Sequence, residues 1–239
     1  KGNPLVWQIQ TLLGFKGKDI DLDPGPSTRF RFQQLDDHPD AASWPGFMPK
    51  IDPPNPKPPA TGPDTRPSQA MRSALSSSER EAAFGGPFKW THAPLPKNKE
   101  NIVIKGTWES DNIVTVNVPQ LTQVPGNFSR MRLNKRVVKQ TLALWEAWEK
   151  AGLLPLILSY EGAFVARLIR DSTTSLSNHA YGSAFDINYH WNKLGDVPAK
   201  AGTTGSVREL VPLAHQHGFF WGGNFSRGDG MHFEVCKVL

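Results

Sequence analysis

The sequence predicts an α+β domain, preceded by a proline-rich linker and a small helical module. Three observations lead there. Strand-like and helix-like apolar periods are interspersed without the regular alternation that builds a parallel β-α-β sheet. A stretch crowded with proline separates the first forty residues from the C-terminal two thirds of the chain. The composition, 38% hydrophobic and 21% charged, is that of a soluble chain able to bury a core.

Residues 1–40 form the helical module. Leu5, Ile9, Leu12 and Leu13 share one face at helical spacing, and Gly14 is placed to stop that helix. A turn at Asp23-Pro24-Gly25-Pro26 precedes a second helix over residues 27–35. Residues 41–78 are the linker, where Pro53, Pro54, Pro56, Pro58 and Pro59 remove backbone donors and favour extended chain. Residues 73–83 turn helical and lead into the main domain, residues 79–239. There, 102–104 and 113–118 read as strands joined by a turn near Ser110-Asp111-Asn112. A helix over 135–150 presents Val138, Leu142, Trp145 and Trp148 on one face and ends at Gly152. The apolar run 153–160 has no decisive period. Ser206 and Glu209 have capping-box spacing, so a helix is expected to start there, carry Leu210, Val211 and Ala214, kink at Pro212 and stop at Gly218. Residues 219–221 and 231–235 are the closing strands.

Several function classes are excluded or left open by bulk properties. The single cysteine, Cys236, rules out an intrachain disulfide and a multi-cysteine zinc site. No apolar run is long enough to cross a bilayer. The first residues show no charged-then-apolar targeting pattern, which fits an enzyme whose signal has been removed as well as one that never had it. The net charge of +5 favours association with polyanions. The basic residues are scattered rather than blocked, and nucleic acid is not read as a partner.

Chemistry concentrates in Ser177-Asn178-His179-Ala180-Tyr181-Gly182-Ser183-Ala184-Phe185-Asp186 and, some forty residues on, in Asp229-Gly230-Met231-His232-Phe233-Glu234. A catalytic zinc needs three imidazole or carboxylate ligands and an open fourth position, with a further carboxylate to move the proton of a water. Two histidines, one aspartate and a spare acid are present. Gly182 and Ala184 are expected to allow close approach of backbone and metal. Asp229 precedes His232 by three residues, and Glu234 shares its strand face. Spacing leaves both acids open as the base. His38, His92, His215 and His217 read as ordinary structural histidines, and His190, close behind Asp186, reads as structural with a supporting place beside the site left open.

The pattern Ser-x-His-x-x-Gly-x-Ala-x-Asp followed by Asp-x-x-His resembles the zinc peptidases that include D-alanyl-D-alanine carboxypeptidases and phage L-alanyl-D-glutamate endopeptidases. Ser177, His179, Gly182, Ala184 and Asp186 fit the first motif, Asp229 and His232 the second. The resemblance implies the fold shared with the hedgehog signalling domain, a central antiparallel sheet flanked by helices. It makes His179, Asp186 and His232 the ligands of Zn2+, Asp229 the general base, and Glu234 a supporting residue. An arginine upstream stabilises the developing oxyanion in such enzymes; of Arg167 and Arg170, similar chains favour Arg167. Ser177 is expected to touch the substrate. An aspartate base is more typical of the endopeptidase branch. The first forty residues resemble small peptidoglycan-binding domains, although the usual Asp-Gly is absent.

These likenesses imply an enzyme acting at the bacterial cell wall on peptidoglycan stem peptides, secreted, periplasmic or released as a phage lysin. Its basic surface would hold it near anionic wall polymers. A D-alanyl-D-alanine carboxypeptidase is the alternative, and it requires a cation for the free substrate carboxylate that the sequence does not identify. A zinc-stabilised wall-binding module without turnover is the non-enzymatic alternative, and the spare acid Asp229 speaks against it.

Overall fold

The computed structural model describes residues 65–66 and 74–239. The helical module expected over residues 1–40, and the linker apart from 65–66 and 74–78, lie outside the described residues. Apart from Pro125–Asn127, the described residues belong to one compact unit.

Helix α1 (Ser77–Phe84) opens it. Ser76 caps the helix and Glu79 reaches back to the Ser76 backbone, a reciprocal capping box, and Gly85 closes it in the left-handed conformation. Three small antiparallel sheets follow. Strands β1 (Trp90–His92) and β2 (Ile102–Ile104) form one; β3 (Ile113–Asn117) and β4 (Arg130–Asn134) form the second. The turn expected between residues 104 and 113 is a short helix, α2 (Trp108–Asn112), and the strands on either side of it lie in different sheets.

Helix α3 (Val138–Lys150) packs Thr141, Leu144, Trp145 and Trp148 inward. Val138 and Leu142, expected on that face, sit at its border. The run after it resolves into a 3-10 turn (Leu154–Leu156) and strand β5 (Tyr160–Gly162). Helix α4 (Asn178–Tyr181), strand β6 (Ala184–Ile187), helix α5 (Val211–Gln216), strand β7 (Phe219–Trp221) and strand β8 (His232–Val235) complete the order. Helix α5 starts at Val211, later than expected. Pro212 therefore lies in its first turn, where no donor is required, and produces no kink. The Ser206 hydroxyl donates to the Glu209 carboxylate at 2.6 Å within the preceding loop instead of capping a helix.

The third sheet, in order β5-β6-β8-β7, positions the site. In the β6–β8 ladder Ala184 lies opposite Glu234, Phe185 opposite Phe233 and Asp186 opposite His232. Alternation along the strands sends the two phenylalanines to one face and the polar side chains to the other. Phe185 and Phe233 stack at 5.6 Å between ring centroids, and both meet Trp148 edge-on. Fully burying each such phenylalanine contributes about 1.5–3 kcal/mol. Apolar burial behind the sheet thus fixes the strand register, and the register sets Asp186 against His232. The mixed helix-and-sheet architecture is α+β. Among the described residues, no helix is long and apolar enough to cross a membrane.

Candidate metal centre

His179 sits in the four-residue helix α4. Ser177 caps that helix with its hydroxyl, which accepts the His179 N–H at 3.3 Å, and Gly182 ends it in the left-handed conformation. A Cβ at Gly182 would lie 2.7 Å from the Asn134 backbone nitrogen and from Ile113 Cδ1. The glycine expected to admit the metal therefore serves the packing of α4 against the β3–β4 hairpin.

Three donor atoms converge from α4, β6 and β8. His179 Nε2 lies 3.2 Å from Asp186 Oδ1 and 3.1 Å from His232 Nδ1, and His232 Nδ1 lies 2.9 Å from Asp186 Oδ1. Ligand atoms around a tetrahedral zinc stand about 3.3 Å apart, given bonds of about 2.0–2.1 Å. The trio matches that triangle. The outer nitrogen of each ring is also held. His179 Nδ1–H donates to the Ala163 carbonyl at 2.6 Å, leaving the Nε2 lone pair toward its two neighbours. His232 Nε2–H donates to Glu234 Oε2 at 2.9 Å, leaving Nδ1 free in the same way. Asn178 Nδ2 donates to that carboxylate oxygen at 2.5 Å, tying the helix of one ligand to the strand of the other. Such outer bonds fix tautomer and ring orientation in metal sites, so the residues present fit zinc.

The electrostatics agree. Burial would pull the His232 ring's affinity for a proton down, but the Asp186 and Glu234 carboxylates outweigh it and raise the pKa to about 10. Burial acts against the Asp186 carboxylate too, and His179 and His232 still hold its pKa far below the ordinary value. A cluster of this kind calls for a positive charge among its donors.

Beside the trio opens a cleft of about 870 Å³, lined by Arg80, Arg167, Ser177, Asp229, His232 and Glu234 among others. Asp229 enters it from the turn before β8, where its carbonyl accepts the His232 N–H at 3.1 Å. The Trp221 indole donates to the Gly230 carbonyl at 2.8 Å, and a Cβ at Gly222 would stand 2.5 Å from the Asp229 carbonyl. Trp221, itself buried, and Gly222 thus set the position of Asp229. Asp229 Oδ1 is buried without a partner among the described residues. Burial first, and the Asp186 charge second among raising influences, lift its pKa despite His232, His179 and Arg167. Arg167 lines the cleft with Nη1 on the Leu168 carbonyl, and burial lowers its pKa while Asp186 opposes the shift. Arg170 is committed to Glu100 by an ion pair. His179, Asp186, His232, Asp229, Arg167 and Ser177 are thus together at one place.

The sequence did not reveal Asn178 or the Ala163 carbonyl as supports, and Asn188 stood within the family-like stretch without a role. Asn188 is fully buried, accepts from the Leu158 and Ser159 amides and donates to the Leu156 and Gly205 carbonyls, bracing the chain just beyond Asp186. Only an asparagine in the left-handed conformation inside a polar phrase could have hinted at this.

Residues 170–235 match the family model described as D-alanyl-D-alanine carboxypeptidase. No curated protein and no solved structure matches the chain. The matched segment contains Ser177, His179, Asp186, Asp229 and His232, and supports membership of the zinc D-alanyl peptidases drawn from the motifs. It supports a peptidase of the D-alanyl-D-alanine carboxypeptidase kind, with peptidoglycan as substrate.

Proposed function

We propose that this chain is a zinc-dependent endopeptidase that hydrolyses the bond between L-alanine and D-glutamate in peptidoglycan stem peptides, acting as a lytic enzyme at the bacterial cell wall. One observation carries the proposal: a His-Asp-His donor triangle of zinc size, with both outer imidazole nitrogens held, opens onto a cleft where one buried oxygen of Asp229 has no partner among the described residues. A purely structural zinc has four protein ligands and no spare acid.

What zinc supplies when bound is Lewis acidity toward the scissile carbonyl and the attacking water. Asp229 takes the proton of that water and delivers it to the leaving nitrogen. Burial raises the Asp229 pKa above that of an ordinary aspartate, the direction that makes a carboxylate a stronger base. Arg167 places a half-buried cation on the cleft wall to oppose negative charge on the carbonyl oxygen, an effect strengthened where water is excluded. The Ser177 hydroxyl, which only accepts from the His179 amide, keeps its own proton for a substrate carbonyl. The basic surface holds the enzyme near anionic wall polymers.

Mass spectrometry of purified peptidoglycan, digested with zinc-loaded protein and with a chelated control, tests this. New chelator-sensitive N-terminal D-glutamate ends are expected. Loss of terminal D-alanine alone would assign the enzyme instead to the carboxypeptidase branch, which the description of the matching family favours. No cleavage by the zinc-bound protein would leave a wall-binding module.

A further inference from the structure

The cleft wall that α1 contributes carries a cation that the mechanism does not use. Arg80 is only 6% exposed, yet it lines the same cleft as Asp229 and His232. Its Nη1 donates to the Leu176 carbonyl at 3.0 Å and its Nη2 to the Ser77 hydroxyl at 3.1 Å. The guanidinium lies 5.7 Å from the Tyr181 ring centroid. Its Nε is buried with no acceptor, and among the described residues no carboxylate forms an ion pair with it. A buried charge ordinarily has a counter-ion and a buried donor an acceptor, because leaving either without one costs free energy. Arg80 has neither. Arg170 and Arg227, which line the same cleft, differ: Arg170 pairs with Glu100 and Arg227 with Asp171.

The open edge has a shape. Nε and Nη2 form the side-on fork of a guanidinium, the edge that accepts both oxygens of a carboxylate in two parallel hydrogen bonds. Only a serine hydroxyl opposes it here. The far side, Nη1, is anchored to the carbonyl immediately before Ser177, so the fork is held in register with the cap of the helix that carries His179.

We propose that Arg80 is a specificity-determining residue that recognises a substrate carboxylate, the α-carboxylate on the carbon bearing the leaving nitrogen. The inference rests on the peptidase function proposed above and deepens it. In a stem peptide the chain continues from D-glutamate through its γ-carboxyl, so the α-carboxylate beside the scissile amide is free. A terminal D-alanine carries its carboxylate at the same place. One guanidinium therefore serves either branch, and it supplies the cation that the sequence alone did not identify. Walls whose D-glutamate is α-amidated would be poor substrates.

Two measurements test this. Stem peptides differing only in an α-carboxylate or α-carboxamide on D-glutamate are compared as substrates of the zinc-loaded enzyme. The carboxylate form is expected to be preferred at least tenfold in kcat/KM. In Arg80→Gln that preference collapses through a higher KM for the carboxylate form alone, and Arg80→Lys restores part of it. An undiminished preference in Arg80→Gln would overturn the inference. Independently, the Arg80 Nε–H resonance of the unsubstituted zinc-loaded protein is followed by NMR during titration with L-alanyl-D-glutamate and with its α-amide. A shift with the acid and none with the amide is expected; equal responses would sink the assignment. This second readout needs neither turnover nor a folded variant. If the resonance responds but no bond is cut, the carboxylate site stands and the peptidase proposal falls.

Discussion

The two sides of the cleft are built on opposite plans. On the metal side, the ligands come from regular elements and their outer atoms are held: Ala163 on His179, Glu234 on His232, Asn178 on Glu234. On the facing side, Arg80 Nε and Asp229 Oδ1 are buried with no partner among the described residues. Satisfied polar groups cannot move cheaply, whereas unsatisfied ones are stabilised by whatever arrives. The difference separates what must be rigid before substrate binds from what the substrate and water complete. Glu234 Oε1 is the exception on the metal side, being buried and unpartnered as well, and it makes the comparison testable.

The largest expected effect is at the centre of the metal side. Asp186 lies within 3.2 Å of His179 Nε2 and 2.9 Å of His232 Nδ1. In Asp186→Ala, bound zinc measured by atomic emission should fall from one equivalent to near zero, with hydrolysis below detection. Zinc in thousandfold excess over its Kd should stabilise the unsubstituted protein by about 4 kcal/mol in denaturant titrations, and the variant hardly at all. A variant that keeps zinc and loses only activity would mean that the triangle is not the metal site.

The facing side should respond in the opposite sense. Asp229→Ala is expected to keep its zinc and its melting temperature, and to lose about 10²–10⁴-fold in kcat, the usual contribution of a general base. Full hydrolysis by this variant would transfer the role to Glu234, whose Oε1 is likewise a buried carboxylate oxygen in the cleft with no partner among the described residues.

What the sequence disclosed follows the same division. The candidate trio stood out in the sequence because its residue types recur in two compact phrases, and β8 was read as a closing strand from its alternating apolar residues, whereas β6 was not read as a strand. Strand β4 has equally clear alternation, with Met131 and Leu133 buried between exposed arginines, and was hidden by the arginines' charge. Pro212 was misplaced because the Ser206–Glu209 pair mimics a capping box while bonding within a loop. The partners of the outer nitrogens, Ala163 and Asn178, could not be read, since a backbone carbonyl has no residue signature and an asparagine has many uses. Arg80 was out of reach for a different reason. It lies far upstream of the motifs, and its isolation from carboxylates is a property of the folded chain.

A smaller effect separates holding a ligand from replacing it. Glu234→Gln removes the charge that the His232 Nε2–H and Asn178 Nδ2 both address. Zinc affinity, measured by competition with a chromophoric chelator, should drop about 10–100-fold, the usual consequence of losing such a support. The fully zinc-loaded variant should recover most of its kcat. Recovery of zinc without recovery of turnover would implicate the carboxylate in the reaction itself.

The smallest effect belongs to the cleft rim, where ion pairs replace unpartnered groups. Arg227 and Asp171 meet at 2.8 Å with side chains 55% and 68% exposed. At such exposure solvent screens the attraction, and pairs of this kind contribute about 0–1 kcal/mol. Asp171→Asn isolates the charge. Asparagine tolerates the left-handed backbone that Asp171 adopts, and the Asp171 N–H to Glu100 Oε1 bond at 3.3 Å uses none of the Asp171 side chain. Denaturant midpoints at low and high salt should therefore differ little from those of the unsubstituted protein, with zinc content and kcat unchanged. A loss well above 1 kcal/mol would show that the rim pair is coupled to the Arg170–Glu100 pair beside it, whose carboxylate is buried. The facing side would then be as preorganised as the metal side, and the contrast between them would reduce to Arg80 and Asp229 alone.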